Sequence, residues 1–224
     1  MCCETDHGLF AVVCDGIGSR AEGGESARLS AARFAERFQS AFFGENYPQF
    51  IVDTAEQIDR EVSERFGSRG GTTAVTVYLD GNALYWLSVG DSRLYIFRNG
   101  RLKQITTDHD YAYVIGLRLK KNLIDEATYQ AEKKKGGRLA SYIGMCGIDI
   151  VDVSMHPLML EQNDLLLLCT DGLYKSLGDI QISEILLRNP LPETAADALE
   201  SAVLSYDGST DNTTFAVICH SMEE

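Results

Sequence analysis

The sequence predicts an α+β fold: a β-sandwich covered by helices on both outer faces, an α-β-β-α arrangement. Segments of strand character dominate both halves of the chain. One pair of helical patterns follows the first strand, and a second pair precedes the last strand. Hairpin signals, rather than helices, join the middle strands, which indicates antiparallel pairing. These observations together favour a sandwich over a parallel α/β sheet.

The first half of the chain opens with an apolar run at Leu9–Cys14, which predicts a buried strand. Apolar residues then recur every three or four positions over Glu22–Phe43 and again over Gln49–Phe66, the spacing of amphipathic helices. An antiparallel meander is predicted next, with strands at Thr72–Leu79, Ala83–Val89, Arg93–Arg98 and Leu102–Thr106.

The second half begins with an irregular region, in which the pattern indicates only short helices. The predicted helices there are Tyr111–Leu119, Asp125–Lys134 and Arg138–Ile143. Further on, the predicted elements are strands at Ile148–Met155 and Asp164–Cys169, helices at Asp179–Leu187 and Glu193–Ser205, and a last strand at Thr213–Cys219. No repeat, low-complexity linker or domain boundary is visible, so we predict one domain over residues 1–224.

Composition argues against several classes of protein. The formal net charge of −13 leaves no basic surface for phosphate backbones, which disfavours a nucleic-acid partner. No apolar run approaches the roughly 20 residues that span a bilayer, so no membrane partner is expected. The first residues lack the features of a signal peptide, which predicts a cytoplasmic protein. None of the six cysteines forms a C-x-x-C pair, which disfavours a zinc site.

Four carboxylates stand at junctions between strands and turns. These junctions are Asp15-Gly16, Gly90-Asp91-Ser92, Asp171-Gly172 and Asp211-Asn212. A single junction of this kind is often a plain connection, but four are hard to explain as turns alone. Carboxylates at strand ends, although far apart in sequence, can meet at one edge of a packed sheet core.

The donor atoms in these junctions indicate the chemistry. Asp15, Asp171 and Asp211 offer only oxygen ligands, which favour Mg²⁺ or Mn²⁺ over zinc or copper. Two such ions, bridged by a carboxylate, can hold a water and make it hydroxide at neutral pH. That nucleophile suits in-line attack on a phosphate ester, and no side-chain nucleophile is then needed.

Several stretches carry a family resemblance, in order, from about Leu9 to His220. FAVVCDGIGSRAEGGESA resembles a strand followed by D-G-M-G-G-H-x-x-G-E-x-A-S, and GGTTAVTVYLDGNALYWLSVGDSRLYIFRNGRLKQITTDHDY resembles G-T-T-A … V-G-D-S-R-x-Y … T-x-D-H-S. GRLASYIG, LLLLCTDGLYKSLGDIQI and DNTTFAVI are similar to L-T-R-A-L-G, L-L-L-C-S-D-G-L-x-D … D-E-E-I and D-N-I-T-V-I-V. The chain resembles the metal-dependent Ser/Thr protein phosphatases of type 2C (the PPM family), and most of all their bacterial branch.

The resemblance implies two stacked antiparallel sheets with helices outside and two Mn²⁺ or Mg²⁺ ions at one end. By motif position, Asp15 bridges the ions and the Gly16 carbonyl binds one of them. Asp171 and Asp211 hold the other ion, and Asp108 joins Asp171 at a third, weaker site. The implied reaction is hydrolysis of phosphoester bonds by a metal-bridging hydroxide.

The implied substrates are proteins phosphorylated on Ser or Thr, including a cognate kinase, in a signalling role and with the enzyme acting as a monomer. Residues 108–137 correspond to the family's mobile flap. Asp91 matches the family's Gly-Asp-Ser-Arg turn, where we expect a structural role.

Two departures from the family pattern bear on activity. The chain starts too late for the family's first strand, R-x-x-N-E-D, which supplies a phosphate-binding arginine and an acidic residue. We therefore expect either an N-terminally short chain or a sandwich without that strand, with Glu4 and Asp6 in a surface loop. Ser19-Arg20 also replaces the usual Gly-His, and Arg20 is a candidate phosphate-binding residue because guanidinium suits bidentate contacts.

Two other interpretations remain open on the sequence alone. A fold without its phosphate-binding arginine could serve as a pseudophosphatase, a catalytically weak or inactive binding module. The spacing from Cys14 to Arg20 reads C-x₅-R, as in cysteine-dependent phosphatases, in which a thiolate attacks phosphorus. Asp15 would place a negative charge where the phosphate must bind, which opposes this second interpretation.

Overall fold

Two antiparallel sheets packed face to face form the centre of the molecule. The computed structural model describes residues 1–5, 8–18, 20–40, 46–134, 137–208 and 211–221, with Arg20 described by its backbone alone. The strands are β1 (Cys2–Thr5), β2 (Gly8–Val13), β3 (Gly16–Gly18), β4 (Gly70–Thr72), β5 (Ala74–Asp80), β6 (Ala83–Val89), β7 (Arg93–Arg98), β8 (Arg101–Gln104), β9 (Asp152–Val153), β10 (Leu158–Met159), β11 (Asp164–Cys169) and β12 (Phe215–His220). The α-helices are α1 (Arg20–Ser40), α2 (Tyr47–Phe66), α3 (Tyr111–Lys120), α4 (Glu126–Lys133), α5 (Asp171–Arg188) and α6 (Pro192–Leu204).

The first sheet has the strand order β1-β2-β5-β6-β10, with β9 also paired to β6. The register between β2 and β5 runs from Leu9 opposite Leu79 to Val13 opposite Val75. Because side chains alternate between faces along a strand, Ala11 and Val13 point to the second sheet, while Phe10 and Val12 point to α1 and α2.

The second sheet has the order β12-β11-β7-β8, and its central strand β11 is completely buried. Leu166 and Leu168 of β11 pack against the first sheet. Leu165, Leu167 and Cys169 pack instead against α5 and α6. The continuous apolar run in β11 thus reflects burial on both faces.

Three apolar layers hold the sandwich and its helices together. The layer between the sheets includes Val75, Val77, Leu94 and Ile96. In the layer under α1 and α2, the rings of Phe10 and Phe38 stack with centroids 4.7 Å apart. The third layer joins the second sheet to α5 and α6, so helices cover both outer faces as the sequence predicts.

The structure corrects four details of the predicted elements. Residues Arg138–Ile143 form isolated β-bridges rather than a helix, and only Asp152–Val153 within Ile148–Met155 is a strand. Helix α5 begins at Asp171, and the predicted helix Asp179–Leu187 is its part after Gly178, where a φ of 69° interrupts the helix. Residues 2–5, including Glu4, form the edge strand β1 rather than a loop, whereas Asp6 lies outside the described residues.

None of the helices in the described ranges is long and apolar enough to cross a membrane.

Candidate active site

An open cleft of about 1010 Å³ lies at one end of the sandwich, beside the residues that follow β2. Its walls come from residues 12–16, from α1 and from the segment before β12. Asp15 and Asp211 line the cleft, as does the backbone at Gly16. Arg28 of α1 is the one Lys or Arg whose described side chain lines it. The cleft therefore combines carboxylates with a single guanidinium.

The backbone of Asp15 is fixed by hydroxyl groups of the Gly-Gly-Thr-Thr segment. Its N–H donates to Thr73 Oγ1 at 3.1 Å, and its carbonyl accepts from the Thr73 N–H and from Thr72 Oγ1, both at 2.8 Å. Thr73 Oγ1 lies 2.6 Å from Ser92 Oγ, which continues the network to the turn that carries Asp91. The two strand-end motifs are thus connected through buried hydroxyls.

Gly16 has no room for a side chain. A Cβ at this position would lie 2.3 Å from the carbonyl oxygen of Gly23 in α1. The backbone after Asp15 therefore passes directly against the start of the helix, as only glycine permits.

Asp171 is held next to the segment 211–214 by the residue before it and the residue after it. The Thr170 N–H donates to the Thr214 carbonyl at 2.9 Å, and the Thr214 N–H donates to Thr170 Oγ1 at 3.0 Å. A Cβ on Gly172 would lie 2.6 Å from the Asn212 carbonyl oxygen. These contacts place Asp171 and Asp211 at the same end of the second sheet.

Carboxylates from both sheets act on one another in this region. Burial, followed by the charge of Asp171 and contact with it, and then by the charges of Asp211 and Asp91, raises the pKa of Asp15 to about 7. Burial and the charge of Asp171 likewise raise the pKa of Asp91 to about 6, although Lys175 opposes the rise. Negative charge is therefore concentrated around Asp171.

The two oxygens of Asp171 have different surroundings. Oδ2 accepts from Lys175 Nζ at 2.5 Å, one turn further along α5. Oδ1 is buried and has no hydrogen-bond partner among the described residues. A buried carboxylate oxygen without a partner is costly and indicates that a ligand completes the site.

Asp108 is engaged elsewhere. Its carboxylate accepts from Arg93 Nε and Nη2 at 2.9 and 2.7 Å and from Gln104 Nε2 at 2.8 Å. The Arg93 guanidinium also lies 3.4 Å from the ring centroid of Tyr174. Asp108 is therefore neutralised by Arg93 within a packed network.

The structure brings some predicted site residues together and not others. Asp15 and Asp171 are neighbours, whereas Asp211 lies exposed at the cleft and accepts from the Asn212 N–H at 2.8 Å. Within the described ranges, no three His, Cys, Asp or Glu side chains are grouped closely enough to hold a metal ion as they stand. The side chain of Arg20, the predicted phosphate-binding residue, lies outside the described residues.

Sequence reasoning missed three contributors to the site. Asp91 was expected to have a structural role, yet its carboxylate interacts with that of Asp171 and contributes to the negative charge of the site. Lys175 stands four residues after Asp171 in a helix, the spacing at which opposite charges meet, and this signal was available in the sequence. Arg28 could not be found from a motif, because only the packing of α1 brings it to the cleft.

The fold matches solved structures over nearly the whole chain. The S. agalactiae serine/threonine phosphatase has a TM-score of 0.83 at 19% identity, covering 99% of this chain and 91% of that chain. The PPM Ser-Thr phosphatase MsPP from Mycobacterium smegmatis, in complex with cacodylate, has a TM-score of 0.75 at 23% identity and the same coverage. The fold is therefore that of the PPM phosphatases.

Sequence comparison finds matches to one family of phosphatases. Residues 3–113 match the protein phosphatase 2C family. The serine/threonine phosphatase stp of Listeria monocytogenes serotype 4b (strain F2365) is 25% identical over 221 residues, which cover 95% of this chain and 85% of that protein. Residues 3–113 thus carry the protein phosphatase 2C match, and the comparisons together support an enzyme of the protein phosphatase class.

Proposed function

We propose that this chain is a divalent-metal-dependent phosphatase that hydrolyses phosphoserine and phosphothreonine in proteins. The observation that carries the proposal is the meeting of Asp15, which follows a strand of the first sheet, with Asp171, which follows a strand of the second. Asp15 lines a cleft that is open enough to admit a phosphorylated side chain, and Asp171 is in contact with Asp15. The match of residues 3–113 to the protein phosphatase 2C family supports the same activity.

Three features of the site fit Mn²⁺ or Mg²⁺. The donors around the cleft are carboxylate and carbonyl oxygens, which these hard cations prefer. Asp171 Oδ1 is buried without a partner in the described residues, and burial together with the neighbouring carboxylates raises the pKa of Asp15. Bound there, two such ions would neutralise the carboxylates and the phosphate and lower the pKa of coordinated water.

We assign the ligands by motif position and by placement at the cleft. The carboxylates of Asp15, Asp171 and Asp211 and the carbonyl of Gly16 would hold the two ions. By motif position Asp108 would join Asp171 at a third, weaker site, but its carboxylate is already paired with Arg93.

Binding of the substrate phosphate needs a cation at the cleft. Arg20 keeps the role expected from its position. Arg28 is a second candidate, because its side chain lines the cleft together with Asp15 and Asp211. A guanidinium there would orient the phosphate through charge-assisted hydrogen bonds.

The remaining expectations are part of the proposal. We propose a monomeric cytoplasmic enzyme that forms one domain over residues 1–224 and acts on phosphorylated Ser/Thr proteins, a cognate kinase among them. Residues 108–137, where α3 and α4 lie, would act as the flap beside the site. No nucleic-acid or membrane partner is expected, given the net charge of −13 and the sequence pattern.

The test is hydrolysis of p-nitrophenyl phosphate and of a phosphothreonine peptide with and without Mn²⁺. We expect activity that EDTA abolishes and that Asp171→Asn reduces by at least about a hundredfold. Asp80→Asn is the matched control, since Asp80 is an exposed carboxylate at the end of β5. Metal-independent turnover, or full activity of Asp171→Asn, would refute the proposal.

The pseudophosphatase and cysteine-dependent interpretations have less support. The pseudophosphatase alternative finds no support in the comparisons, whose named relatives are phosphatases. For the cysteine-dependent alternative, burial raises the pKa of the Cys14 thiol to about 12, so the nucleophilic thiolate is strongly disfavoured at neutral pH. Cys14→Ser should therefore keep its Mn²⁺-dependent activity.

A further inference from the structure

The carboxylates of the candidate active site already have a side-chain cation beside them, the ammonium group of Lys175. Lys175 lies in the first turns of α5, and its ammonium is 2.5 Å from Asp171 Oδ2. The side chain of Asp171 is only 14% exposed, whereas that of Lys175 is 60% exposed. The lysine therefore reaches inward from the surface and places its charge on a largely buried carboxylate.

Other carboxylates also act on this ammonium. Asp91 and Asp211 both interact electrostatically with Lys175, in addition to Asp171. The contact is thus more than an isolated surface ion pair, because one lysine faces three negative charges from three separate segments.

Side-chain cations already occupy part of the oxygen ligands. Arg93 pairs with Asp108 at 2.7 Å, and Lys175 pairs with Asp171 Oδ2. Asp171 Oδ1, in contrast, is buried with no partner in the part of the chain that the structure describes. Free coordinating capacity on Asp171 is therefore confined to Oδ1.

We propose that the ammonium group of Lys175 takes the place of a divalent ion between Asp171 and Asp108, so that no divalent ion binds between these two carboxylates. The inference rests on the proposed function for the ions held by Asp15, Asp171 and Asp211. An ammonium and a divalent ion compete for the same carboxylate oxygen, and the repulsion between two cations at this distance is large. The enzyme would then work with two ions rather than three.

The test compares wild type, Lys175→Gln and Lys175→Arg by calorimetric titration with Mn²⁺ and by metal content after dialysis. Lys175→Gln should bind one more Mn²⁺ per chain, or bind Mn²⁺ at least about tenfold more tightly. Lys175→Arg keeps the positive charge and should resemble wild type. Lys103→Gln, which removes an exposed lysine from β8, is the control for lost surface charge.

A second measurement needs no bound metal. In EDTA, Lys175→Gln should melt at a lower temperature than wild type and Lys103→Gln, because the carboxylates lose their resident cation. If wild type binds Mn²⁺ and Lys175→Gln binds the same number with the same affinity, the inference is overturned and the proposed function stands. If none of the variants binds Mn²⁺, both are overturned.

Discussion

Asp15 should destabilise the metal-free protein at neutral and alkaline pH. Its pKa is raised from 3.8 to about 7 by burial and by the charges of Asp171, Asp211 and Asp91. Three pKa units correspond to about 4 kcal/mol, and screening by the water in the open cleft reduces the cost to about 2 kcal/mol. Asp15→Asn removes this charge and keeps the shape of the side chain.

The pH dependence has a defined direction. Because the folded pKa of Asp15 lies above the unfolded value, its favourable contribution is complete below about pH 4 and is lost as the pH rises through about 7. Asp15→Asn should therefore equal wild type near pH 4 and exceed it by about 2 kcal/mol at pH 8. For a chain of this size, that difference raises the melting temperature by about 4–8 °C.

The assay is thermal unfolding of both proteins in EDTA at pH 4, 6 and 8, repeated with Mn²⁺. The metal should raise the melting temperature of wild type more than that of Asp15→Asn, since the variant lacks a ligand. Asp80→Asn serves again as the control for a lost surface charge. A variant that is less stable than wild type at pH 8, or a difference that does not change with pH, would refute the reasoning.

Three further substitutions test the framework of the site. Arg98→Ala should lower the free energy of unfolding by about 3 kcal/mol in urea melts, because it leaves the buried Asp164 carboxylate without its cation. Gly172→Ala should weaken Mn²⁺ binding by about tenfold in calorimetry, since its Cβ would lie 2.6 Å from the Asn212 carbonyl oxygen and must displace that segment. Asp59→Ala should cost about 3 kcal/mol in urea melts, because two loop N–H groups lose an acceptor at 2.7 Å.

Each of these substitutions has a matched control in the chain. Changing Arg33, which forms a more exposed ion pair, to Ala should lower the free energy of unfolding much less than Arg98→Ala does. Gly24→Ala also faces the cleft but meets nothing within 4 Å, so Mn²⁺ binding should be unchanged. Asp53→Ala removes an exposed carboxylate from the same helix as Asp59. Equal effects in a substitution and its control would contradict the corresponding prediction.

The local sequence pattern predicted most of the architecture, because most helices and strands can be recognised from a few consecutive residues. The hairpin signal at Asp80-Gly81 is confirmed by the turn between β5 and β6, and the apolar runs coincide with β2 and β11. The helix predicted at Arg138–Ile143 was wrong for a physical reason. Its backbone pairs with partners distant in sequence, Ile143 with Thr72 and Leu139 with Asp110, and no local periodicity records such pairing.

The site was predictable to the extent that its residues stand at strand ends. Asp15 and Asp171 were found because each interrupts an apolar run. The pairing of Asp108 with Arg93 was beyond sequence reasoning, since it depends on how residues 15 positions apart pack around a turn. The roles of the ligands stay predictions, because their arrangement depends on distances that spacing in a sequence does not encode.

Asp15 and Asp171 belong to different sheets of the sandwich, and this affects the spacing of the proposed metal ligands. Asp15 follows β2 of the first sheet, and Asp171 follows β11 of the second. The spacing between their oxygens is therefore set by the apolar layer that includes Val75 and Leu166. Substitutions in that layer, far from the substrate phosphate, would shift one sheet relative to the other. They would thereby change the affinity for the proposed metal ions without altering any ligand residue.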